Sequence, residues 1–511
     1  MHWLDLIIIV GYLLIIIVMG LRLSRRVHDS RDYFLAGRSL TWWIIGLSII
    51  GTNVSAEGYV GAAGGAYKVG IAQANFEWIG AIPAMIIAAL VFIPLYWRSG
   101  VYSIPEYLGR RYDQNVRLLA ALIASIFALF AIGVALWAIA LTLQTYLDWP
   151  IWAGIVVTGT VVGLYSISGG LAAVAFTDAL QVVIMFLGGV AIVALGISQA
   201  GGLENFSTAL VAHNPTHLHA YLPADHEDFP WPGVVLGLAI VLSPAYWCGS
   251  QAILQRTLGA RSQWDASASM MFAAFAKTLV PLLIVFPGLL ALVLHARIEY
   301  PDMALPWVVR NVLPPGLSGL MFIALIAALQ SSIDSGINST ALMITRDIRG
   351  VLVKNRDQSR DLVLGRWLTL GILLGAMTIA PYIGEMGGIY FFIQTLLSLF
   401  QGPLLALLVL GALTRHATPR GGLTALLTGV PLAGLLLFLG LNMLYVAFVT
   451  FCCALTIVWL VSYRTPPLDA AELEQLVYGF GMKPDHDTGN YRSCLTTCRY
   501  GRPMHSLRFF W

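Results

Sequence analysis

The stretch ALQSSIDSGINST, residues 328–340, is strongly polar, although apolar residues precede and follow it. It carries an aspartate, an asparagine and five hydroxyl side chains within about three helical turns. Hydroxyl and carboxylate oxygens are the ligands that hard cations prefer. A carboxylate inside a bilayer is costly unless a cation or a proton neutralises it. If this segment crosses a membrane, Asp334 is therefore predicted to hold a cation or a proton.

The composition of the chain indicates that this segment does lie in a membrane. Hydrophobic residues make up 58% of the 511 residues, and charged residues make up only 11%. A soluble protein of this size needs more surface charge, so the sequence predicts a polytopic membrane protein. The net charge of +3 gives no indication of a nucleic-acid partner. The first apolar run begins near Trp3 and is too long for a cleaved signal peptide, so it is predicted to be a retained span.

Apolar segments near the ~20 residues that a bilayer requires occur about thirteen times between residues 3 and 462. Arginine and lysine residues concentrate in alternate loops, among them Arg98, Arg111, Arg256 and Arg346. Because basic loops remain on the cytoplasmic side, the N-terminus is predicted to be outside and the tail inside. The expected location is the inner cell membrane.

Two of these spans are interrupted by residues that break helices. The second span contains IIGTNVSAEGYVGAAGG (residues 49–65), and the seventh contains VLSPAYWCGSQAIL (residues 241–254). Backbone that leaves a helix is tolerated in a bilayer only where it lines a cavity or a ligand site. The interruptions lie about five spans apart, as expected for an inverted repeat. This pattern predicts the binding site of a secondary transporter.

Several segments, in order along nearly the whole chain, resemble the sodium:solute symporter family and most closely its sodium–sugar branch. They are TNVSAEGYVGAAGGAY, NFEW, YSIPEYLGRRY, YSISGGLAAVAFTDALQV, QAILQRTLGA, FAAFAKTLVPLLIVFPG and SSIDSGINSTALMITRDI. The resemblance implies an all-α polytopic membrane protein with a LeuT-like 5+5 inverted repeat, one extra N-terminal and two extra C-terminal transmembrane helices. It also implies Na+ as the coupling ion, a small-molecule solute as cargo and the lipid bilayer as surroundings.

The implied organisation divides the chain into consecutive parts. They are an N-terminal helix and cytoplasmic loop (1–38), a first five-helix repeat (39–198), an outer loop (199–231), a second five-helix repeat (232–413), two C-terminal helices (414–462) and a cytoplasmic tail (463–511). We expect the tail to be loosely ordered, with an interfacial amphipathic segment as the alternative. The outer loop contains His213, His217, His219 and His226. We expect these histidines to be solvated, with a metal site as the alternative.

The resemblance also implies a sodium site between the first interrupted span and the polar stretch. By position it uses the backbone carbonyls of Gly51, Val54 and Ala328 and the hydroxyls of Ser331 and Ser332. Neutral oxygens of this kind suit sodium inside a membrane. The alternative is that the serines bond only to carbonyls one turn earlier and help helices to pack.

Some members of the family bind a second cation one turn further along, and the matching residues here are Asp178, Asp334 and Ser335. Asp334 stands where a hydroxyl is usual. Two carboxylates that share a site could hold a second sodium, or one of them could remain protonated because like charges raise the pKa. A structural pairing with an arginine or with backbone groups is the remaining alternative.

The solute site implied by the resemblance lies between the two interrupted spans. Its residues are Asn53, Glu77, Ser243, Tyr246, Trp247, Lys277 and Gln394. Sugars require this mixture of hydrogen-bonding side chains and aromatic faces. A structural Glu77–Lys277 pair without solute contact is the alternative. Gly58 and Ala131 stand where a bacterial galactose transporter of the family has a glutamine and an asparagine, so the recognised hydroxyls should differ.

The sequence therefore predicts a sodium-coupled symporter that imports a small neutral polyhydroxylated solute, with a monosaccharide favoured. A carboxylate, sialic acid, amino acid or polyol is the alternative solute, although the predicted cavity contains no arginine for an anion. A sensor that resembles a transporter is a further alternative. An enzyme is not expected, because the chain contains no HExxH, phosphate-binding loop or nucleophile elbow.

Overall fold

The computed structural model describes residues 2–24, 36–54, 56–165, 171–352, 358–386 and 388–479. Within these ranges the chain is almost entirely helical and contains no β-strand. The α-helices of the first half are α1 (Trp3–Ser24), α2 (Trp42–Asn53), α3 (Ala62–Val69), α4 (Ile82–Ile87), α5 (Ile93–Ser99), α6 (Ile104–Arg111), α7 (Gln114–Leu147), α8 (Ile151–Tyr165), α9 (Leu171–Gln199), α10 (Leu203–His213), α11 (Trp231–Gly233) and α12 (Ser243–Gly249).

The second half continues with thirteen further α-helices within the described ranges. They are α13 (Gln251–Leu258), α14 (Gln263–Lys277), α15 (Val280–Ile284), α16 (Phe286–Val293), α17 (Ala304–Val312), α18 (Leu317–Leu342), α19 (Arg349–Leu352), α20 (Gln358–Ile379), α21 (Ile389–Ser398), α22 (Gln401–Leu413), α23 (Pro419–Phe438), α24 (Met443–Tyr463) and α25 (Ala470–Leu473).

Segments of other helix types join several of these α-helices. The 3-10 segments are Ala36–Arg38, Gly70–Phe76, Pro215–Leu218, Pro301–Met303 and Ala380–Met386. The π-helical segments are Ala56–Gly61, Glu77–Ala81, Ala88–Phe92, Val234–Leu242 and Met343–Ile348. Helical segments of this kind inside longer helices are often found at functional sites.

Six helical segments in the described part of the chain are long and apolar enough to cross a bilayer. The number rises to eight if each of two bent helix pairs counts as one span. Four further apolar helices are shorter, at 10–17 residues. The structure therefore shows a multi-pass membrane protein, and the count of about thirteen spans remains a prediction.

Both interruptions predicted from the sequence are present. The helix α2 ends at Asn53, and Val54 has non-helical dihedral angles (φ −80°, ψ 56°). The helix α12 ends at Gly249, and Ser250 is extended (φ −74°, ψ 120°) before α13 begins. Each interruption frees backbone carbonyls that a continuous helix would use. The polar helix α18 packs against α7, α9 and α2, so the first interruption and the polar stretch belong to one helix cluster.

The N-terminal helix α1 is attached to the start of α18 by a buried carboxylate. Asp5 Oδ1 accepts hydrogen bonds from the backbone amides of Gly316 (2.6 Å) and Gly319 (3.0 Å). These amides belong to the first turn of α18, where unpaired donors and the helix dipole favour an anion. Asp5 therefore orients the helix that carries the polar stretch.

Part of the loop 199–231 is buried, which corrects our expectation for His217, whereas His213 and His219 are exposed as expected. The side chain of His217 is only 4% exposed, and its Nε2 lies 3.5 Å from the carbonyl oxygen of Tyr67. The backbone of His217 lies against Gly70, whose positive φ of 77° and close contact both require glycine. No group of three or more metal-binding side chains occurs among the residues that the structure describes.

Two arginines that the sequence places among the basic loop residues are buried side chains. Arg111 is fully buried and donates to the carbonyl oxygens of Gly411 (2.7 Å), Thr414 (2.7 Å) and Ala417 (3.0 Å) at the end of α22. A cation at the C-terminus of a helix is stabilised by the exposed carbonyls. The second arginine, Arg256, forms an ion pair with Asp178.

The first part of the tail packs against the protein, whereas we expected a loosely ordered segment. The hydroxyl of Tyr107 in α6 donates to the carbonyl oxygen of Leu476 (3.0 Å). The backbone amide of Tyr478 donates to the carbonyl oxygen of Ala412 (2.7 Å). Leu473, Leu476 and Val477 are buried. The chain up to residue 479 is thus part of the folded structure, and residues 480–511 lie outside the described ranges.

Candidate functional site

A cavity with an empty volume of about 480 Å³ lies between the two interrupted helices. The cavity is lined by all seven residues that the sequence indicated for the solute, namely Asn53, Glu77, Ser243, Tyr246, Trp247, Lys277 and Gln394. They come from the end of α2, a π-helical segment, α12, the end of α14 and α21.

A buried network of charge and hydrogen bonds forms one wall of this cavity. Lys277 Nζ donates to Glu77 Oε2 and to Asn53 Oδ1. The same ammonium group lies 5.6 Å from the centre of the Trp247 ring, and Asn53 Nδ2 lies 3.5 Å from the hydroxyl of Tyr246. Lys277 and Glu77 are 1% and 7% exposed. Neither charge could be buried alone without a large penalty, so each holds the other in place.

The position of Lys277 follows from a break in its helix. It is the last residue of α14, and the next helical segment begins at Val280 with a bend of 54°. Free carbonyls at a helix C-terminus favour a cation.

Aromatic side chains close the cavity on the side of the loop 199–231. The rings of Phe76 and Tyr390 both line the cavity and meet edge to face at 4.8 Å. Phe229 of the loop packs against Phe76 at 5.2 Å and against Phe391 at 5.5 Å. The sequence analysis missed Phe76 and Tyr390, although Phe76 directly precedes Glu77 in the NFEW segment.

A buried carboxylate lies beside this aromatic cluster, in the loop between α16 and α17. Asp302 is 2% exposed, and its Oδ2 accepts a hydrogen bond from the backbone amide of Ile389 (2.9 Å), the first residue of α21. Burial raises the pKa of Asp302 to about 7, although the Ile389 amide and the charge of Lys68 oppose this shift. Asp302 is therefore a titratable contact between this loop and α21.

Replacing Asp302 with asparagine is expected to remove a pH-dependent part of the thermal stability. Folding raises this pKa from 3.8 to about 7, so protonation of Asp302 favours the folded state. Its contribution is complete below pH 3.8 and is lost as the pH rises to about 7. The Tm of the wild type minus that of D302N, measured in detergent, should fall across this interval and then become constant. A difference that does not vary with pH contradicts this prediction.

The residues indicated for sodium lie on two neighbouring helices. Gly51 and Val54 are buried at the end of α2, and Ala328, Ser331 and Ser332 lie on α18, which packs against α2. Ser332 Oγ donates to the carbonyl oxygen of Ala328 (3.0 Å), and Ser331 Oγ donates to Asp178 Oδ1 (2.8 Å). The bond of Ser332 is one that a serine forms in many helices, so this geometry also fits the packing alternative.

Gly51 allows α2 and α9 to approach each other closely. A methyl group at Gly51 would lie 2.9 Å from Cγ2 of Val182 and 3.2 Å from Cβ of Asp178, so a side chain would push the helices apart. The carboxylate of Asp178 therefore lies beside the end of α2 and beside Ser331 of α18.

Asp178 forms a buried ion pair with Arg256. Asp178 Oδ2 accepts from Arg256 Nη2 (3.1 Å) and from the hydroxyl of Ser48 (2.8 Å), and Arg256 Nε donates to that same hydroxyl (2.8 Å). Asp178 and Arg256 are 2% and 3% exposed. This is the arginine pairing that the sequence left as an alternative, and the guanidinium supplies the positive charge that a buried carboxylate requires.

Two residues indicated for the second cation cannot be compared with this geometry. The side chains of Asp334 and Ser335 lie outside the described part of the structure, although the backbone of α18 around them is helical. The sequence analysis also missed the roles of Ser48 and Arg256. Arg256 lies in the QAILQRTLGA segment, immediately after the second interruption, and this position was the available signal.

This chain differs from the galactose transporter of the family at two positions that could bind the solute, and one of these two positions lines the cavity. Gly58 lines it, and a methyl group there would collide with the carbonyl oxygen of Asn53. Ala131, on α7, is not among the lining residues that the structure describes. Gly58 therefore packs directly against the end of α2.

The fold is similar to those of solved transporters. A Na+-coupled sialic acid symporter in a substrate-bound, outward-open state superposes with a TM-score of 0.80 at 20% identity, over 92% of this chain and 99% of that chain. A transporter of the nucleobase-cation-symport-1 family in a closed conformation superposes with a TM-score of 0.59 at 13% identity, over 88% and 99%. At these identities the likeness shows the fold alone.

Sequence comparison gives closer relatives. The sodium/glucose cotransporter of Vibrio parahaemolyticus is 33% identical over 472 residues, which cover 87% of each chain. The sodium/myo-inositol cotransporter 2 of Mus musculus is 31% identical over 464 residues, covering 83% of this chain and 68% of the relative. These relatives are named as transporters, not enzymes. The family model of the sodium:solute symporter family matches residues 33–429. The chain therefore belongs to the sodium:solute symporter family, as a multi-pass membrane protein that couples transport of a small-molecule solute to Na+.

Proposed function

We propose that this chain imports a small neutral polyhydroxylated solute by sodium-coupled secondary active transport, and that the solute is a monosaccharide. The observation that carries this proposal is the charge balance of the cavity. Among its described lining residues, the charged groups are Glu77 and Lys277, which neutralise each other. The remaining polar groups are amides and hydroxyls, which recognise neutral hydroxyls.

This charge balance disfavours an anionic solute. A carboxylate needs a cation that is available to it or an exposed helix N-terminus. The ammonium group of Lys277 already serves Glu77 and Asn53, and no arginine occurs among the described residues that line the cavity. A carboxylate, sialic acid or amino acid would have to displace Glu77 from its partner.

The aromatic residues of the cavity support a cyclic polyhydroxylated solute. Tyr246 and Trp247 meet edge to face at 5.3 Å, so two ring faces of different direction border the same space. An aromatic face packs against the apolar face of a sugar ring, while the amides of Asn53 and Gln394 reach its hydroxyls. Glucose and myo-inositol, the solutes named for the relatives, both have this character.

Coupling between ion and solute has a simple structural basis in this proposal. The proposed sodium ligands Gly51 and Val54 and the solute-binding residue Asn53 lie within four residues at the end of α2. Sodium and solute therefore order the same piece of backbone, and each stabilises the conformation that the other binds. One charge that crosses 100 mV provides about 2.3 kcal/mol, enough to concentrate a neutral solute roughly fifty-fold.

The architecture in this proposal is the LeuT-like 5+5 inverted repeat, with repeats at 39–198 and 232–413 and about thirteen spans. In this proposal the protein lies in the inner membrane, with its N-terminus on the outer side and its tail in the cytoplasm. The loop 199–231 is then on the outer side, so the aromatic cluster of Phe76 and Tyr390, which packs against Phe229 of this loop, lies at the outer end of the cavity. Transport then requires that this cluster open to admit the solute and that the region around Tyr246 open to release it.

A second cation near Asp178 and Asp334 is part of the same proposal, and its test is the charge moved per solute. The wild type is expected to move about two charges, and Asp334→Ala about one, because the substitution removes the carboxylate proposed to hold the second cation. The ratio of current to radiolabelled uptake in proteoliposomes measures this. A ratio of one charge per solute in the wild type, unchanged in D334A, contradicts a second cation. Asp178 would then be paired with Arg256 instead.

Uptake into proteoliposomes under a sodium or a potassium gradient tests the proposed function. D-glucose, D-galactose and myo-inositol represent the neutral class, and N-acetylneuraminic acid and proline represent the alternatives. Accumulation of a neutral sugar or polyol with sodium alone supports the proposal. Accumulation of the acid or the amino acid alone contradicts it. Sodium-dependent binding without accumulation of any solute would instead indicate a sensor.

A further inference from the structure

The cavity contains one more amide that the sequence gave no reason to select. Gln401 is the first residue of α22 and follows the break between α21 and α22 at Leu399 and Phe400. Tyr390, Gln394, Leu397 and Gln401 all line the cavity, at spacings of three and four residues. Gln401 therefore continues this row of lining residues across the break, from α21 to the start of α22.

The terminal oxygen of Gln401 is buried and has no partner. The residue is 3% exposed, and within the described part of the chain its Oε1 accepts no hydrogen bond. A buried amide oxygen without a hydrogen bond costs free energy unless a ligand or a water molecule pairs with it. Because this atom belongs to a residue that lines the cavity, its missing partner is expected to be found there.

From this placement we infer that Gln401 is an additional solute-binding residue, which pairs with a hydroxyl of the solute where the start of α22 borders the cavity. The inference rests on the proposed function, since it requires a polyhydroxylated solute in this cavity. A hydroxyl both donates and accepts, so it satisfies the amide in either orientation of its oxygen and nitrogen. A carboxylate could satisfy only one of them.

This subsite makes Gln401 a determinant of specificity. Asn53, Glu77 and Lys277 form the network at the π-helical wall, whereas Gln401 lies at the start of α22. A solute held at both places has its orientation fixed. A solute that lacks the hydroxyl facing Gln401 leaves the buried amide unpaired and binds less well.

The test combines changes in the protein with changes in the solute. The variant Gln401→Met keeps the length of the side chain but removes its polar end. Leu405→Met is the matched control, because Leu405 is buried on the same helix α22 but is not among the described residues that line the cavity. The KM values of D-glucose, of myo-inositol and of their single-deoxy analogues are measured in sodium-driven uptake. We expect Q401M to raise the KM of the parent solute about three- to tenfold.

The decisive result is the behaviour of one particular analogue. The deoxy analogue without the hydroxyl that faces Gln401 should have the same KM in the wild type and in Q401M, while the other analogues weaken together with the parent. The sodium concentration that gives half-maximal uptake should not change. L405M should behave as the wild type for every solute.

Two outcomes overturn the inference while leaving the proposed function intact. One is a KM that rises by the same factor for every analogue, which indicates a purely structural residue. The other is a Q401M variant with unchanged KM for all solutes. If Q401M does not fold, Gln401→Asn keeps the amide and shortens its reach, and the same comparison applies. A wild type that accumulates no sugar or polyol contradicts the proposed function itself.

Discussion

The variant Lys277→Met is expected to lose sodium-driven uptake and to be markedly less stable than the wild type. It leaves Glu77 buried at 7% exposure without its counter-ion. Removing one partner of a buried ion pair costs about 3–5 kcal/mol. The melting temperature of the purified protein and the initial rate of uptake in proteoliposomes measure the two effects.

The double variant K277M/E77Q separates stability from transport. It removes both charges together, so most of the lost stability should return, because no unpaired charge remains buried. Uptake should remain absent, since the ammonium and carboxylate groups that border the solute are gone. Asp148→Asn is the control, because the ion pair of Asp148 with Arg310 has side chains that are 81% and 44% exposed and should contribute little. Normal uptake by the double variant would show that the pair is only structural.

Ser332→Ala is expected to abolish sodium-dependent uptake while the protein remains folded. In the proposed site this change removes one of a small number of oxygen ligands, and the other ligands cannot replace it. The dependence of uptake on sodium concentration, measured beside size-exclusion and thermal-unfolding profiles, tests this expectation. The sodium concentration for half-maximal uptake should rise at least about tenfold if any activity remains.

The helix α18 provides a matched control for this change. Thr340 donates its hydroxyl to the carbonyl of Gly336 (2.7 Å), as Ser332 does to that of Ala328 (3.0 Å). Thr340→Val therefore removes the same kind of local bond from the same helix without touching the proposed sodium site. Near-normal sodium dependence in S332A, or an equal loss in both variants, would remove Ser332 from the sodium site.

The sequence alone predicted the class of protein from its composition and apolar segments, and it predicted the residues around the cavity from a family resemblance. Composition and the apolar segments indicate a membrane protein, and glycine, proline and polar residues mark the interrupted helices near Asn53 and Ser250. These are local features, which a single sequence displays directly. The residues of the cavity wall came from the resemblance, and their assembly could not have been derived from spacing, since Lys277 and Glu77 are 200 residues apart.

The sequence alone could not identify the residues that pair with buried charged side chains. Arg256 and Arg111 were counted with the basic loops because the positive-inside rule uses residue type and position, not burial. Arg256 pairs with Asp178 across 78 residues, and Arg111 binds three carbonyls about 300 residues away. Gln401 was missed because an isolated glutamine near a helix end has no distinguishing pattern. Only the packed structure shows its unpaired oxygen.

The contact between Tyr107 and Leu476 has a consequence for the order in which the protein is made. The two residues are 369 positions apart, so at about 5–20 residues per second a ribosome needs roughly 20 to 70 s to pass from one to the other. During that time the surface of α6 that Leu473, Leu476 and Val477 will cover remains open. The region around α6 is therefore completed only when translation has passed the last transmembrane helix described.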